Sequence, residues 1–362
     1  MIEIGDHGPM SSAHCVSIDD IRTAATRLRS LVVRTPVLTF DAFDALPSAA
    51  PRRAFFKCEL FQGSGSFKLR GASNAVASLL AEDAARVAAG GVVTHSSGNH
   101  GAALALAARK CGVPAAVVMP SNAPAVKRRA VESYGAAVVT CEPTQAAREA
   151  AASRVVEERG AAFVHPSEDP RVIAGQGTIA LELLEQLEEL RRAAGAAWGA
   201  DTSKPPVDAV LVPVGGGGML SGIAVALKAL DPRILVIGAE PLAANDAYRS
   251  KQLGELQGHA GGLAPTTIAD GLKTTLGPNT FPIVRDLVDE IVCVSEADIA
   301  AALRTVYEVL KLAIEPSAAV GVAALLSDEL SPARRPELVR VAVVLCGGNV
   351  DLGSLPALLS AR

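Results

Sequence analysis

The stretch Lys57-Cys-Glu-Leu-Phe-Gln-Gly-Ser-Gly-Ser-Phe-Lys68-Leu-Arg-Gly-Ala-Ser-Asn74 carries the reading of this chain. Lys68 stands between a Gly/Ser-rich turn and the start of a helix. A lysine placed there can face a pocket instead of bulk water. Desolvation disfavours the ammonium form, lowers the pKa and leaves an amine able to attack a carbonyl carbon. Ser-Phe-Lys alone does not establish this, because a solvated loop lysine is the commoner occurrence. The remainder of the chain adds the weight.

Working outward, short β-branched or apolar runs alternate with longer Ala/Leu-rich amphipathic stretches. Gly91–Thr94 reads as a strand before a helix at 99–110. Strand 115–119 precedes helix 125–134, and strand 137–140 precedes helix 145–159. A second series has helix 177–194, strand 209–214, helix 220–230 and strand 234–237. Helices 296–311 and 318–330 and strand 339–345 complete it. This alternation predicts an α/β fold with a parallel sheet covered by helices on both faces. Segments 193–206 and 254–267 read as surface connections.

The 362 residues suffice for two domains. A net charge of -4 gives no electrostatic footprint for nucleic acid, and 3% aromatic residues leave few stacking platforms. The six cysteines are scattered, without zinc spacing, and fit reduced thiols. The N-terminus has acidic residues and no arginine before Arg22, unlike a secretory or transit signal, so a cytoplasmic location is expected. The uncharged run 209–227 is broken by Pro213 and four glycines, which argues for strand, loop and helix instead of a membrane span.

Ligands of open parallel sheets bind outside the carboxyl ends of the strands. Three loops occupy such positions. Thr94-His-Ser-Ser-Gly-Asn99-His100-Gly101 opens a helix, where hydroxyls and free N–H groups suit a carboxylate or phosphate, or simply a cap. Gly215-Gly-Gly-Gly218 follows Leu211-Val-Pro-Val214 and suits close approach of N–H groups to an anion. It matches neither the P-loop nor the dinucleotide fingerprint. Leu345-Cys346-Gly347-Gly348-Asn349 follows an apolar strand, and Cys346 there can meet a heteroaromatic nitrogen.

These motifs, in this order, resemble the serine racemase and serine/threonine dehydratase family of fold type II pyridoxal-phosphate enzymes. The resemblance runs from about Ile21 to Leu352. It includes His165-Pro, Ile173-Ala-Gly-Gln-Gly-Thr178, Ile268-Ala-Asp-Gly271 and Ile314-Glu-Pro-Ser317. It implies a tryptophan synthase β-like fold, with a large domain of residues 1–82 and 168–362 and a smaller inserted domain of residues 83–167. The cofactor would lie between them.

The resemblance also implies roles. Lys68 is similar to the Schiff-base lysine and to the base on one face of the substrate α-carbon. Ser97 is similar to the acid/base on the other face. Phe67 would flank the pyridine ring, Asn99 would contact its hydroxyl, and Gly215, Gly216, Gly217 and Gly218 would hold the phosphate. Glu315 and Cys346 would stand near the ring. Ser96, Ser97, Asn99 and His100 form the loop for the substrate carboxylate. Glu240, the carbonyl of Ala244, and Asp246 match a site for Mg²⁺, or Ca²⁺ or Mn²⁺.

A homodimer acting on a small amino acid is therefore expected, with serine racemisation and β-elimination from hydroxy amino acids. Ammonia-lyase action on threonine or 3-hydroxyaspartate without racemisation is the alternative, and a cysteine synthase-like β-replacement a remoter one. Two positions depart from the family pattern. Cys346 replaces the usual racemase serine and is found in some serine dehydratases. Gly63 replaces a lysine that touches a regulatory nucleotide in the animal enzymes, so little response to ATP is expected.

Overall fold

Strands buried on both faces need uninterrupted apolar runs, and Ala209–Pro213 and residues 341–345 supply them, both wholly buried. The computed structural model describes residues 14–96, 98–123, 125–198 and 203–360. Its strands are β1 (Val37–Leu38), β2 (Arg53–Cys58), β3 (Val92–His95), β4 (Ala115–Pro120) and β5 (Ala137–Cys141). They continue with β6 (Ala162–Phe163), β7 (Ala209–Pro213), β8 (Leu235–Pro241), β9 (Glu290–Val294) and β10 (Arg340–Leu345). One six-stranded sheet runs β1-β2-β10-β7-β8-β9, and a four-stranded sheet runs β5-β4-β3-β6.

Pairing is parallel throughout except for β1, which lies antiparallel to β2 at the edge. The large sheet is thus mixed where the sequence predicts a parallel one, and the two-sheet α/β architecture agrees with the fold that the resemblance implies. The neighbours β2, β10, β7 and β8 all point the same way, so the loops beyond their carboxyl ends stand side by side.

Three helices hold those loops in register. They span Lys68–Glu82, Pro170–Ala194 and Gly218–Leu230. The middle one starts before the expected residue 177, at Pro170, where Asp169 caps it by accepting the Arg171 N–H. Glycine weakens a helix interior, yet Gly175 and Gly177 here let backbones touch. A Cβ on Gly175 would lie 2.7 Å from the Gly71 Cα, and one on Gly177 would lie 2.8 Å from the Gly222 carbonyl oxygen. The long helix therefore fixes the distance between the helix that carries Lys68 and the helix that follows the four glycines.

Candidate active site

The chain leaves β2 through a turn at Glu59–Phe61 and enters the Lys68 helix. That passage is stitched to the loop after β10. Phe67 donates its N–H to the Cys346 carbonyl at 3.0 Å, and Gly348 donates to the Gly65 carbonyl at 2.9 Å. The Asn349 side chain donates to the Ser64 carbonyl at 2.8 Å. Lysine and thiol thus share one wall of a cleft.

Lys68 Nζ donates to the Pro166 carbonyl, 2.9 Å away on the chain that leaves β6. It also lies 5.0 Å from the centre of the Phe67 ring. Burial pushes the Lys68 pKa down to about 8, against the opposing pull of Cys346 and Glu315. The Cys346 thiol is buried and is driven well above its ordinary value, by desolvation first and by Glu315 second. Glu315 is itself pushed up to about 8, chiefly by burial and then by Asp270. Its Oε1 accepts the Asn99 amide at 2.8 Å, and Asn99 Oδ1 accepts from Asn349 at 2.9 Å. A chain of side chains therefore links the third loop to the first.

The four glycines begin at the end of β7 and run into their helix, with Gly217 at φ +77°. A Cβ on Gly216 would stand 2.4 Å from Ser167 Oγ, one on Gly217 would stand 2.5 Å from the Leu276 side chain, and one on Gly218 would stand 2.8 Å from the Ser167 carbonyl oxygen. Only glycine lets this backbone pass so close to its surroundings. The turn leads into a helix N-terminus, which suits an anion.

The first loop follows β3 in the smaller sheet. Ser96 Oγ accepts the Gly98 N–H at 3.3 Å. Ser97 lies outside the described residues. His100 is buried, neither ring nitrogen has a hydrogen-bond partner, and burial followed by the Lys68 charge drives its pKa well below the ordinary value. It is a neutral imidazole with open polar atoms. His165 Nδ1 accepts the N–H groups of Ser167 and Glu168, and burial takes its pKa down to about 4.

Glu240 ends β8 with both carboxylate oxygens accepting N–H groups, from Ala247 and Tyr248 at 3.0 Å each. Asp246 Oδ2 accepts from Leu276 at 2.9 Å, while buried Oδ1 has no hydrogen-bond partner, with His259 Nδ1 at 3.8 Å. Burial and then Asp246 push Glu240 up to about 8, and burial pushes Asp246 up to about 6. Ala244 is buried beside them. Among the described residues no three His, Cys, Asp or Glu side chains form a metal-holding group.

Some neighbours of the site carry no sequence signal that singles them out. Pro166 contributes a backbone carbonyl to Lys68, and Ser167 packs against Gly216 and Gly218. Burial lowers the His95 pKa, and the Arg148 charge adds to this while Glu149 opposes it. The assembled cleft can do two things chemically. It presents an amine that is partly neutral near pH 7, and it offers a glycine cradle for an anion.

A model of the family "Pyridoxal-phosphate dependent enzyme" matches residues 28–347. The chain is 49% identical to the serine racemase of Homo sapiens over 345 residues, covering 95% of this chain and 94% of that one. It superposes on maize serine racemase with a TM-score of 0.85 at 43% identity, covering 95% of this chain and 97% of the other. A pyridoxal 5'-phosphate-dependent aspartate racemase gives 0.84 at 39% identity, covering 94% and 98%.

Proposed function

The chain belongs to the serine racemase and dehydratase family of pyridoxal-phosphate-dependent enzymes, and from that premise we propose that it interconverts L- and D-serine and eliminates water from L-serine, with threonine and 3-hydroxyaspartate as further substrates. The observation that carries this reading is the row of loops at the adjacent ends of β2, β10 and β7: a low-pKa lysine, a buried thiol and a glycine cradle.

The residues present fit pyridoxal phosphate. Gly215 to Gly218 would hold its phosphate, at a turn where a Cβ on Gly216, Gly217 or Gly218 would stand within 2.8 Å of a neighbour, Phe67 would flank its ring, and Asn99, fixed by Glu315 and Asn349, would face its hydroxyl. Bound there, the cofactor supplies the electron sink that makes the substrate Cα–H acidic. The remaining work belongs to this chain. Lys68 anchors the cofactor and moves the proton on one face of Cα. Cys346, whose thiol is a weak acid made weaker by burial, would leave the ring nitrogen facing it unprotonated. A cofactor held that way would be a weaker electron sink, which would suit departure of a β-hydroxyl. Ser96, Asn99 and His100 would receive the substrate carboxylate, His100 through ring nitrogens that otherwise lack partners. Ser97 would exchange the proton on the opposite face, a role that rests on the resemblance alone.

Glu240, the Ala244 carbonyl and Asp246 would hold Mg²⁺, Ca²⁺ or Mn²⁺. The unpartnered Asp246 Oδ1 supports this, as does the mutual repulsion of two buried carboxylates that a cation would relieve. The division into residues 1–82 with 168–362 and residues 83–167 is likewise proposed, supported by the separate sheet built from β3 to β6. Among the described residues no helix is long and apolar enough to cross a membrane. A cytoplasmic homodimer belongs to the same reading, and sedimentation tests the dimer.

The functional test is incubation of the PLP-loaded protein with L-serine, with chiral analysis of serine and assay of pyruvate. D-serine and pyruvate should both form. Ser97→Ala should lose D-serine and keep part of the pyruvate. Equal loss of both with the cofactor still bound would contradict separate faces, and neither product from wild type would overturn the proposal.

A further inference from the structure

Behind Lys68 lies a buried cluster of charges that the reaction does not touch. Arg70 is fully buried and spends every donor of its guanidinium. Nε and Nη2 meet the two oxygens of Glu59, each at 2.8 Å. Nη1 and Nη2 meet the two oxygens of Glu182 at 2.8 and 2.7 Å, and Nη1 also reaches Thr178 at 3.2 Å. Lys57 closes the circuit with contacts to Glu182 at 2.9 Å, Gln186 at 2.8 Å and the Thr35 carbonyl at 2.8 Å. Two positive and two negative side chains are balanced, and none of their polar atoms is left buried without a partner.

A cluster of this kind is a poor source of net stability, because desolvation offsets most of the Coulomb gain and apolar side chains would serve as well. What it adds is direction, since two bidentate forks fix a plane and an angle. The direction matters at this place. Arg70 follows Lys68 by two residues, a rotation of about 200° around the helix. When Lys68 faces the cleft, Arg70 faces the interior behind it. The first turn has no side-chain cap at Phe67: the Leu69 and Arg70 N–H groups turn back to the Ser66 and Phe67 carbonyls at 3.4 and 3.0 Å, and the Gly71 N–H reaches a side-chain acceptor, Gln176 Oε1, at 3.1 Å. The Arg70 fork ties this uncapped turn to Glu59 on one side and to the long helix on the other.

We propose that Arg70, clamped between Glu59 and Glu182 with Lys57 completing the cluster, is a positioning residue that sets the rotation of the first helical turn and so aims Lys68 at its reaction partners. The inference rests on the cofactor-lysine role given to Lys68 above. The substrate-carboxylate loop follows β3 in the other sheet, and among the described residues no hydrogen bond or ion pair joins it to the cluster, so turnover should suffer and substrate binding should not.

The test uses PLP-loaded Arg70→Lys, which keeps the charge and loses the fork, and Glu182→Gln, which is isosteric and partly exposed. Ile299→Val, in the core of a distant helix, serves as a destabilised control. Wild type is examined first, and absence of bound-cofactor absorbance there refutes the functional reading. With that absorbance present, Arg70→Lys should lower kcat by about tenfold or more, the scale of a sub-ångström misplacement, with KM for L-serine changing less than about threefold. Recombination of PLP with apo-protein should slow in parallel. Glu182→Gln should show the same pattern more weakly, and it decides the matter if Arg70→Lys does not fold. Folded variants with wild-type kcat and recombination rate would overturn the inference. So would an equal loss of kcat in Ile299→Val.

Discussion

Replacing Gly218 by alanine should weaken PLP binding sharply while leaving the fold in place. The new Cβ would stand 2.8 Å from the Ser167 carbonyl oxygen and 3.1 Å from the Ser167 Cα. Comfortable carbon contacts lie near ~3.5–4.0 Å, so the two backbones must part by roughly half an ångström or more. Ser167 cannot easily yield. Its N–H and that of Glu168 are held by His165 Nδ1 at 3.2 and 2.9 Å. Glu168 is bound in turn to Asn279 at 2.7 and 2.8 Å and to Thr280 at 2.6 Å. Overpacking of this kind costs about 1–3 kcal/mol. If the loop relieves it by leaving the phosphate-binding position, PLP affinity falls by about 5- to 150-fold. The assay is titration of apo-protein with PLP, followed by absorbance, with circular dichroism to verify the fold. Gly258→Ala, whose Cβ would meet nothing within 4 Å, is the control and should bind as wild type does. A Gly218→Ala affinity within about twofold of wild type would refute the cradle.

Three further outcomes are expected. Recombination of PLP with apo-protein should accelerate with pH through a midpoint at the Lys68 pKa of about 8 and level off above it, because the amine is neutral above its depressed pKa; a midpoint at the ordinary lysine value near ~10.4 would contradict the desolvated site. Mg²⁺ or Ca²⁺ should raise the melting temperature, by the equivalent of about 2.7 kcal/mol at a hundredfold excess over Kd, and Asp246→Asn should abolish the effect; indifference of the wild type to chelator and cation would dismiss the site. Mg-ATP at fixed free Mg²⁺ should change the rate little, since Gly63 offers no cation in place of a charge-assisted bond worth ~1.5–3 kcal/mol; several-fold activation would show that other residues bind the nucleotide.

The fold was legible where one local pattern decides the structure. The parallel strands β3, β4, β7, β8 and β10 read directly because a doubly covered strand must be largely apolar, and the edge strand β5 reads from its apolar run although its residues are half-buried or exposed. The sequence reading leaves β1, β2, β6 and β9 unassigned. Lys57 explains part of this: a charge within a short strand argues against burial, and its partners Glu182 and Gln186 come from a helix more than a hundred residues away. The long helix starts earlier than its glycines suggest, because Gly175 and Gly177 serve backbone contact with neighbouring helices. The segment expected as one helix from 296 to 311 changes to a π-turn at Val306–Leu310 and ends with Lys311 at φ 59°, a tertiary choice without a glycine to announce it.

At the site, each loop was legible by its residue types, but their assembly was not. The stitches from Gly65 to Gly348 and from Phe67 to Cys346 are backbone hydrogen bonds, which any residues can make. The Pro166 carbonyl under Lys68 is equally silent in sequence. Asn99, Glu315 and Asn349 could be named one by one, whereas their chain of contacts appears only when β3 and β10 are brought together in space.

The central claim is that Lys68 carries pyridoxal phosphate, and borohydride trapping tests it most directly. PLP-loaded wild-type protein is reduced, digested and mapped by mass spectrometry. A phosphopyridoxyl group on Lys68, stoichiometric with protein and absent from Lys68→Ala, is the predicted result. A label on Lys57, Lys127 or another lysine, or the same bound-cofactor absorbance in Lys68→Ala, would contradict the account.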